Sequence, residues 1–348
     1  MGQQPAERPY RRDDPRARPV DSGPHQGSHR HGFARHYAAL DLGTNNCRLL
    51  IARPQGDGFA VVDAFSRIVR LGEGLATSGR LSDAAIERTI AALRICADKL
   101  KRRNVTLARS VATEACRRAS NGAAFIERAY EETGIHLDVI SAEEEARLAV
   151  LGCHVLLEPG DAPALVFDIG GGSTELVLID TASTVPTVID WHSAPWGVVS
   201  LTESVAGTGG PHGLAAVYER MRALVRESFA PFAARLPRVE GPRRLLGTSG
   251  TVTTLASVHL GLDRYDRAQV DGLIAPADSM RCISQKLAQL SIEERAALPC
   301  IGRERADLVV AGCAILETIL DLWPAERLGI ADRGIREGIL RRLMATGQ

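Results

Sequence analysis

The sequence predicts an α/β protein of two domains that face each other across a cleft, and three observations lead there. A chain of 348 residues is long enough for two hydrophobic cores. Strand-like and helix-like segments alternate from Tyr37 onward, the pattern of α/β domains. One motif also occurs twice. Ala39-Leu40-Asp41-Leu42-Gly43-Thr44-Asn45-Asn46 runs into the apolar Leu49-Leu50-Ile51, and Val166-Phe167-Asp168-Ile169-Gly170-Gly171-Gly172-Ser173-Thr174 runs into Leu176-Val177-Leu178-Ile179. Each copy reads as a buried strand ending in Asp, a tight turn of small residues, and a second strand paired antiparallel with the first. The two aspartates lie about one domain length apart.

Taken in order, residues 1–36 are Arg, Pro, Gly, Gln and His with almost no aliphatics, a composition that cannot bury enough surface to fold. His25, His29, His31 and His36 lie there at irregular spacing, a weak metal pattern. The first domain is expected over 37–158. After its hairpin, Ser82 caps a helix with the apolar stripe Ile86, Ile90, Leu93, Ala97 and Leu100. A strand near Leu107–Val111, a helix after Asn121, a strand over Leu137–Ile140 and a helix from Ala142 to about Leu157 follow. Glu158-Pro159-Gly160-Asp161 is turn-rich and marks the boundary. The second domain, 159–329, opens with its own hairpin. A helix over Leu214–Leu236, a short strand Arg244-Leu245-Leu246 and an apolar helix over Glu304–Leu322 come next. The last helix, within 330–348, is too short to fold alone and is expected to dock on the first domain.

Composition narrows the function. Lys plus Arg and Asp plus Glu both number 42, for a formal net charge of zero, so nothing draws the whole chain to nucleic acid or membrane. The basic residues are nearly all arginine, for which genomic base composition is the plainer cause, although arginine is also the better fork for phosphate oxygens. Seven cysteines without a CxxC pair argue for a reducing compartment and against structural zinc; Cys47, Cys116, Cys153 and Cys313 read as small core residues. No apolar run reaches the length of a membrane span, and no secretory signal is visible, so a cytoplasmic location is expected.

The candidate chemistry centres on the two turns. Glycine and hydroxyl residues leave backbone N–H groups free to meet an anion, and an adjacent Asp can hold the metal that accompanies phosphate. Gly43, Thr44 and Asn45 form the first candidate loop, and Gly170, Gly171, Gly172, Ser173 and Thr174 the second, with a plain hairpin turn as the alternative. Gly247, Thr248, Ser249 and Gly250, opening a helix at Thr251, make a third cradle without the GK[ST] of a Walker loop. Arg117 and Arg118 follow a strand, where they either clamp phosphate or lie exposed. In Ser141-Ala142-Glu143-Glu144-Glu145, Ser141 and Glu144 fit a capping box. Glu145 instead places a carboxylate where an apolar staple onto Ile140 would be usual. That is a catalytic base for water attacking a phosphoryl group, or else surface charge. Glu175 is either near a metal or simply exposed.

Together these segments resemble the exopolyphosphatase and guanosine pentaphosphate phosphatase family, within the larger actin-, hexokinase- and Hsp70-like group. The match runs through the two turn motifs, Val111-Ala112-Thr113-Glu114-Ala115 with Arg117 and Asn121, and Ile140-Ser141 through Leu148. It continues with Gly247–Thr251, Arg305-Ala306-Asp307 and Arg333–Leu340, all in family order. The resemblance implies two ribonuclease-H-like domains and Mg²⁺-dependent hydrolysis. The implied substrate is inorganic polyphosphate, or alternatively the 5′-γ-phosphate of guanosine pentaphosphate. A non-hydrolysing sensor and an ATP-using kinase or chaperone on the same architecture are the other readings, the last fitting a water-activating glutamate less well. It makes Glu145 the water-activating glutamate, Arg117 the phosphate-binding arginine, Asp41 and Asp168 the paired loop aspartates, and Glu175 the acid closing the second loop, with metal falling to Asp41, Asp168 and Glu175. It also makes a homodimer plausible. Ala142 stands where the family has Gly, and Thr44-Asn45-Asn46 where Ser-Asn-Ser is usual. With no room for an added helical C-terminal domain, the chain looks like the short two-domain form.

Overall fold

Each copy of the repeated motif opens a sheet in the computed structural model, which describes residues 35–183, 185–206, 213–238 and 241–346. β1 (His36–Leu42), β2 (Asn46–Gln55) and β3 (Gly58–Ile68) form an antiparallel meander. After α1 (Leu75–Ser78) and α2 (Asp83–Arg102) come β4 (Val105–Ala112), α3 (Glu114–Arg118), α4 (Gly122–Thr133), β5 (Asp138–Val139) and α5 (Ala142–Cys153). The second motif gives β6 (Ala164–Ile169), β7 (Thr174–Asp180) and β8 (Thr187–Ala194), followed by α6 (Val198–Ser204) and α7 (Gly213–Ala233). The rest comprises β9 (Arg244–Thr248), α8 (Gly250–His259), α9 (Arg267–Val270), β10 (Ile274–Pro276), α10 (Ala277–Gln289), α11 (Ile292–Ala296), α12 (Val309–Leu322), β11 (Arg327–Ala331) and α13 (Ile335–Thr346).

The sheet orders are β3-β2-β1-β4-β5 and β10-β11-β9-β6-β7-β8. In both, the motif strand is antiparallel to its hairpin partner and parallel to a later strand, β1 with β4 and β6 with β9. One topology is therefore used twice, a repeat visible in the sequence only at the hairpins. Asp41 and Asp168 are the last residues but one of their motif strands, and ligands of open α/β sheets bind beyond such carboxyl ends.

α5 and α13 lie side by side between the sheets. Ala146, Val150 and Cys153 of α5 join a buried cluster with Val166, Val177 and Leu246 of the second sheet. Leu148 and Ala149 pack instead with Ile335, Ile339 and Leu340 of α13 against Ala39 and Leu50 of the first. The outer face of the first sheet is covered by α2 and α4 through Ile90, Leu93 and Phe125. α7, α8, α10 and α12 cover that of the second. Sandwiched in this way, α5 presents its first turn at the floor of the cleft.

Several expected boundaries differ. Ser82 caps α2 as expected, its hydroxyl accepting from Ala85 N–H. The apolar helix begins at Val309, because residues 303–308 form turns whose side chains bond elsewhere: Arg305 to Thr254 and Asp307 to Arg70. α5 stops at Cys153 and gives way to a 3₁₀ turn, His154–Leu156. His36, assigned to the tail, is the first residue of β1, its ring Nδ1 2.6 Å from Arg103 O. His25, His29 and His31 lie outside the described residues. Cys47, Cys116, Cys153 and Cys313 are all buried.

Candidate active site

Ser141 caps α5, its hydroxyl accepting from Glu144 N–H at 3.2 Å. The second half of the expected capping box does not form, since the Glu144 carboxylate accepts instead from Arg109 (2.9 Å) and Arg342 (3.2 Å). Glu145, the next residue, is only 7% exposed and lines a cleft of about 940 Å³, counting its open mouth. A buried carboxylate at a helix staple position is locally unfavourable; it is kept because α5 ends between two sheets at a cavity.

The same cleft is lined by Asp41, Gly43, Thr44 and Asn45 from the first turn and by Asp168, Gly170, Gly171, Gly172 and Ser173 from the second. The turns also touch. A Cβ built on Gly171 would fall 2.9 Å from Thr44 Cβ and 3.0 Å from Asn45 N, and one on Gly172 would fall 2.7 Å from Thr44 Oγ1. The glycines thus serve close approach between the two halves as well as exposing backbone. Among the described residues, the N–H groups of Thr44, Asn45, Gly171, Gly172 and Ser173 donate to no protein acceptor. Carbonyls of the second turn are tied into the start of α6 by Val198, Val199 and Ser200 N–H. A nest of unused donors on both sides suits an anion.

Ser249 and Gly250 join the cleft, with Thr251, Thr254 and Arg305. Three expected members of the phosphate loops do not. Thr174 is wholly buried and donates its hydroxyl to Trp196 O. Gly247 lies within β9, where a Cβ would meet the Phe167 ring at 2.4 Å, so it serves packing. Thr248 donates to Arg333 O and borders a smaller adjoining cavity.

Arg117 stands behind the cleft wall rather than on it. Nε and Nη2 donate to Glu114 Oε2 (3.1 and 2.6 Å), Nη1 donates to Ile140 O (2.6 Å), and both Nη atoms lie 3.3 Å from Glu145 Oε2. These contacts use the whole five-donor guanidinium. Arg118 is more exposed, 3.7 Å from Glu114 Oε1. Glu175 pairs across the hairpin with Asp168, is 2% exposed and accepts from Ser193 Oγ at 2.9 Å. It lies beneath the second turn, not exposed.

Crowded acids raise one another's proton affinity. Burial, then the charge of Glu175, pushes Glu145 well above the usual carboxylate range, with Arg117 opposing. Burial, Glu175 and Asp41 push Asp168 up to about 8, with Arg48 opposing. Burial pushes Glu175 up to about 7 and also raises Asp41. Among the described residues, Asp41, Glu114, Glu145 and Asp168 line the cleft against only Arg48 and Arg305. A polyanion would not settle there without added positive charge.

Among the described residues, no three His, Cys, Asp or Glu side chains are placed to hold a metal ion. Asp41, Asp168 and Glu175 are therefore not a ready-made cage, and Glu175 is engaged by serine. Asp41 Oδ1, however, is buried with no hydrogen-bond partner among the described residues. One or two carboxylates completed by water and substrate phosphate is how Mg²⁺ is usually bound, and Asp41 and Asp168 fit that set.

Sequence reasoning assigned no role to Arg48, Glu114 or Arg305, although Glu114 and Arg305 lie in segments that match the family. Arg48 was recoverable: in a hairpin whose turn spans Gly43 to Asn46, the residue opposite Asp41 is Arg48. Among the described residues its side chain makes no hydrogen bond or ion pair, and it lines both cavities. Nothing local marked Arg305, which reaches the cleft from the turns before α12.

Two sheets of one topology, each offering an Asp-ended strand and a small-residue turn to a shared cleft, define the two-domain ribonuclease-H-like class. Within that class the chain belongs to the Ppx/GppA phosphatase family, whose model matches residues 50–346. It is 33% identical over 316 residues to exopolyphosphatase 2 of Mycobacterium tuberculosis, covering 87% of this chain and 96% of that one. The crystal structure of the Aquifex aeolicus Ppx/GppA family member aligns with TM-score 0.73 at 28% identity, over 90% of this chain and 99% of that one. An exopolyphosphatase from Cytophaga hutchinsonii shares the fold, with TM-score 0.77 at 23% identity over 90% and 98%.

Proposed function

We propose that this protein is an exopolyphosphatase, a hydrolase that removes the terminal phosphate of inorganic polyphosphate. The observation that carries this reading is the convergence of Glu145, Asp41 and Asp168 with two donor-rich turns on one cleft. In this mechanism the terminal phosphoryl group lies between the turns, its oxygens met by the N–H groups of Thr44, Asn45, Gly171, Gly172 and Ser173. Such donors stabilise charge without reorganising during reaction. Arg48 and Arg305 meet the phosphates on either side. Glu145 orients a water in line with the scissile bond and accepts its proton; its raised proton affinity makes it a stronger base than an exposed glutamate. Mg²⁺, held by Asp41 and Asp168 when bound, would neutralise charge on the phosphate oxygens. Glu175 and Arg117 set the charge around Glu145 without touching substrate.

No helix among the described residues is long and apolar enough to cross a membrane, and a cytoplasmic location fits the absence of cysteine pairing. Phosphate release from long polyphosphate, short polyphosphate and guanosine pentaphosphate, measured side by side with Mg²⁺, tests the reading. Release from polyphosphate at the highest kcat/KM supports it. Preference for guanosine pentaphosphate would reassign the substrate, and binding of polyphosphate without release would make the protein a sensor.

A further inference from the structure

We infer that Glu114 is a positioning residue that turns Arg117 away from substrate and onto Glu145; this rests on the reading of Glu145 as the water-activating group. Arg117 follows a strand beside the cleft, where a free guanidinium would grip a phosphate with two parallel hydrogen bonds. Glu114 prevents that. Its Oε2 takes both Nε and Nη2 of Arg117, at 3.1 and 2.6 Å, which fixes the plane of the guanidinium. The opposite edge then faces Ile140 O and Glu145 Oε2.

Glu114 is itself well placed to hold this arrangement. Its side chain is 13% exposed and lines the cleft. It also packs against the opposing turn: a Cβ on Gly172 would come within 2.9 Å of Glu114 Cγ. Glu114 is thus held between the second turn and Arg117, and Arg117 between Glu114 and Glu145. A carboxylate on the wall of a polyanion site weakens binding. It is useful only if it improves the geometry of the catalytic base, so kcat and KM should separate.

The test uses the full chain with polyphosphate and Mg²⁺, comparing wild type with Glu114→Ala and Glu114→Gln. Glu114→Ala should lower kcat at least about tenfold, the scale of losing one transition-state contact, while KM stays equal or falls as Arg117 becomes free for phosphate. Glu114→Gln, which keeps the shape and an acceptor oxygen, should recover part of kcat. In a Glu145→Gln background Glu114→Ala should cost little more, since both act through one group. Circular dichroism and thermal unfolding check that each variant folds.

A second readout does not depend on turnover. In ¹⁵N-arginine-labelled protein, the Arg117 Nε–H signal, assigned by Arg117→Lys, should exchange slowly with water in wild type and Glu145→Gln. In Glu114→Ala it should exchange fast. Unchanged kcat in Glu114→Ala, a raised KM at constant kcat, or an Nε–H signal indifferent to Glu114 would each overturn the inference. If wild type releases no phosphate at all, the enzymatic reading falls, and the exchange signal alone decides whether Glu114 fixes Arg117.

Discussion

Arg70 and Asp307, 237 positions apart in the chain, meet in a two-pronged ion pair, Nη1 to Oδ2 at 3.0 Å and Nη2 to Oδ1 at 3.2 Å. Arg70 belongs to the segment behind the first turn: Val69 and Arg70 N–H both donate to Asn45 O, and Gly72 N–H donates to Thr44 O. Asp307 belongs to the turns that bring Arg305 and Leu308 to the cleft. A second tie runs from Gly74 N–H to Glu203 at 2.7 Å. Arg70 holds an uncommon positive φ of 47°, a conformation that costs a non-glycine residue free energy and persists where its surroundings require it.

Arg70→Ala should therefore loosen the two halves more than it unfolds them. Both side chains are about one-third exposed, so the pair is worth about 1 kcal/mol or less in stability. The expected outcome is a KM raised by roughly three- to tenfold with little change in thermal midpoint. Steady-state kinetics beside calorimetry check this. A large fall in midpoint with unchanged KM would make the pair purely structural.

Gly171→Ala should be far more damaging to activity than to folding. The added methyl meets Thr44 Cβ and Asn45 N, neither of which can swing aside, so the facing turns must separate. A misplacement of about 1 Å costs on the order of a hundredfold in rate. Phosphate release from Gly171→Ala measures it; near-normal turnover would mean that the turns need not touch.

These contacts also show what the sequence held and what it withheld. The hairpins, the helix capped by Ser82 and the buried cysteines were legible because strand period, capping chemistry and apolar stripes are local signals. The placement of Glu145 on the cleft was legible because a carboxylate occupied a staple position. Thr174 and Gly247 were misplaced because hydroxyl and glycine residues look alike in a cradle and in a core; only the partners Trp196 and Phe167 decide. Arg117 was read as a phosphate ligand from its place after a strand and from the family resemblance, neither of which reports that Glu114, three residues before it, takes Nε and Nη2. Arg305 was marked only as part of a matched segment and Arg70 not at all, since their roles depend on segments brought together by the fold.

Acidic pH should silence the enzyme earlier than an ordinary glutamate would. Glu145 must be ionised to accept a proton, and burial with Glu175 nearby raises its pKa. At limiting substrate and saturating Mg²⁺, kcat/KM should climb with pH through a midpoint above the usual carboxylate range. Glu175→Gln removes a like charge and should move that climb to lower pH. A midpoint near about 4.3, the ordinary glutamate value, would contradict the buried-base assignment.

The metal prediction can be read without activity. Asp168 has a folded-state pKa of about 8, above its unfolded value, so the folded state binds the extra proton. That stabilisation is complete below the unfolded pKa and is lost as pH rises toward about 8. In chelator-treated protein the thermal midpoint should thus fall over that window, and less so in Asp168→Asn. Mg²⁺ should raise the wild-type midpoint at high pH and have little effect on Asp41→Asn/Asp168→Asn. Equal responses in both proteins would remove these aspartates from metal binding.

Turnover of polyphosphate by Glu145→Gln, set beside its binding of the same chains, is the most direct measurement. Phosphate release should drop by about 10² to 10⁴, the contribution of a positioned general base, while polyphosphate affinity and thermal midpoint stay near wild type. Release at the wild-type rate from that variant would contradict the assignment of Glu145 and, with it, the mechanism.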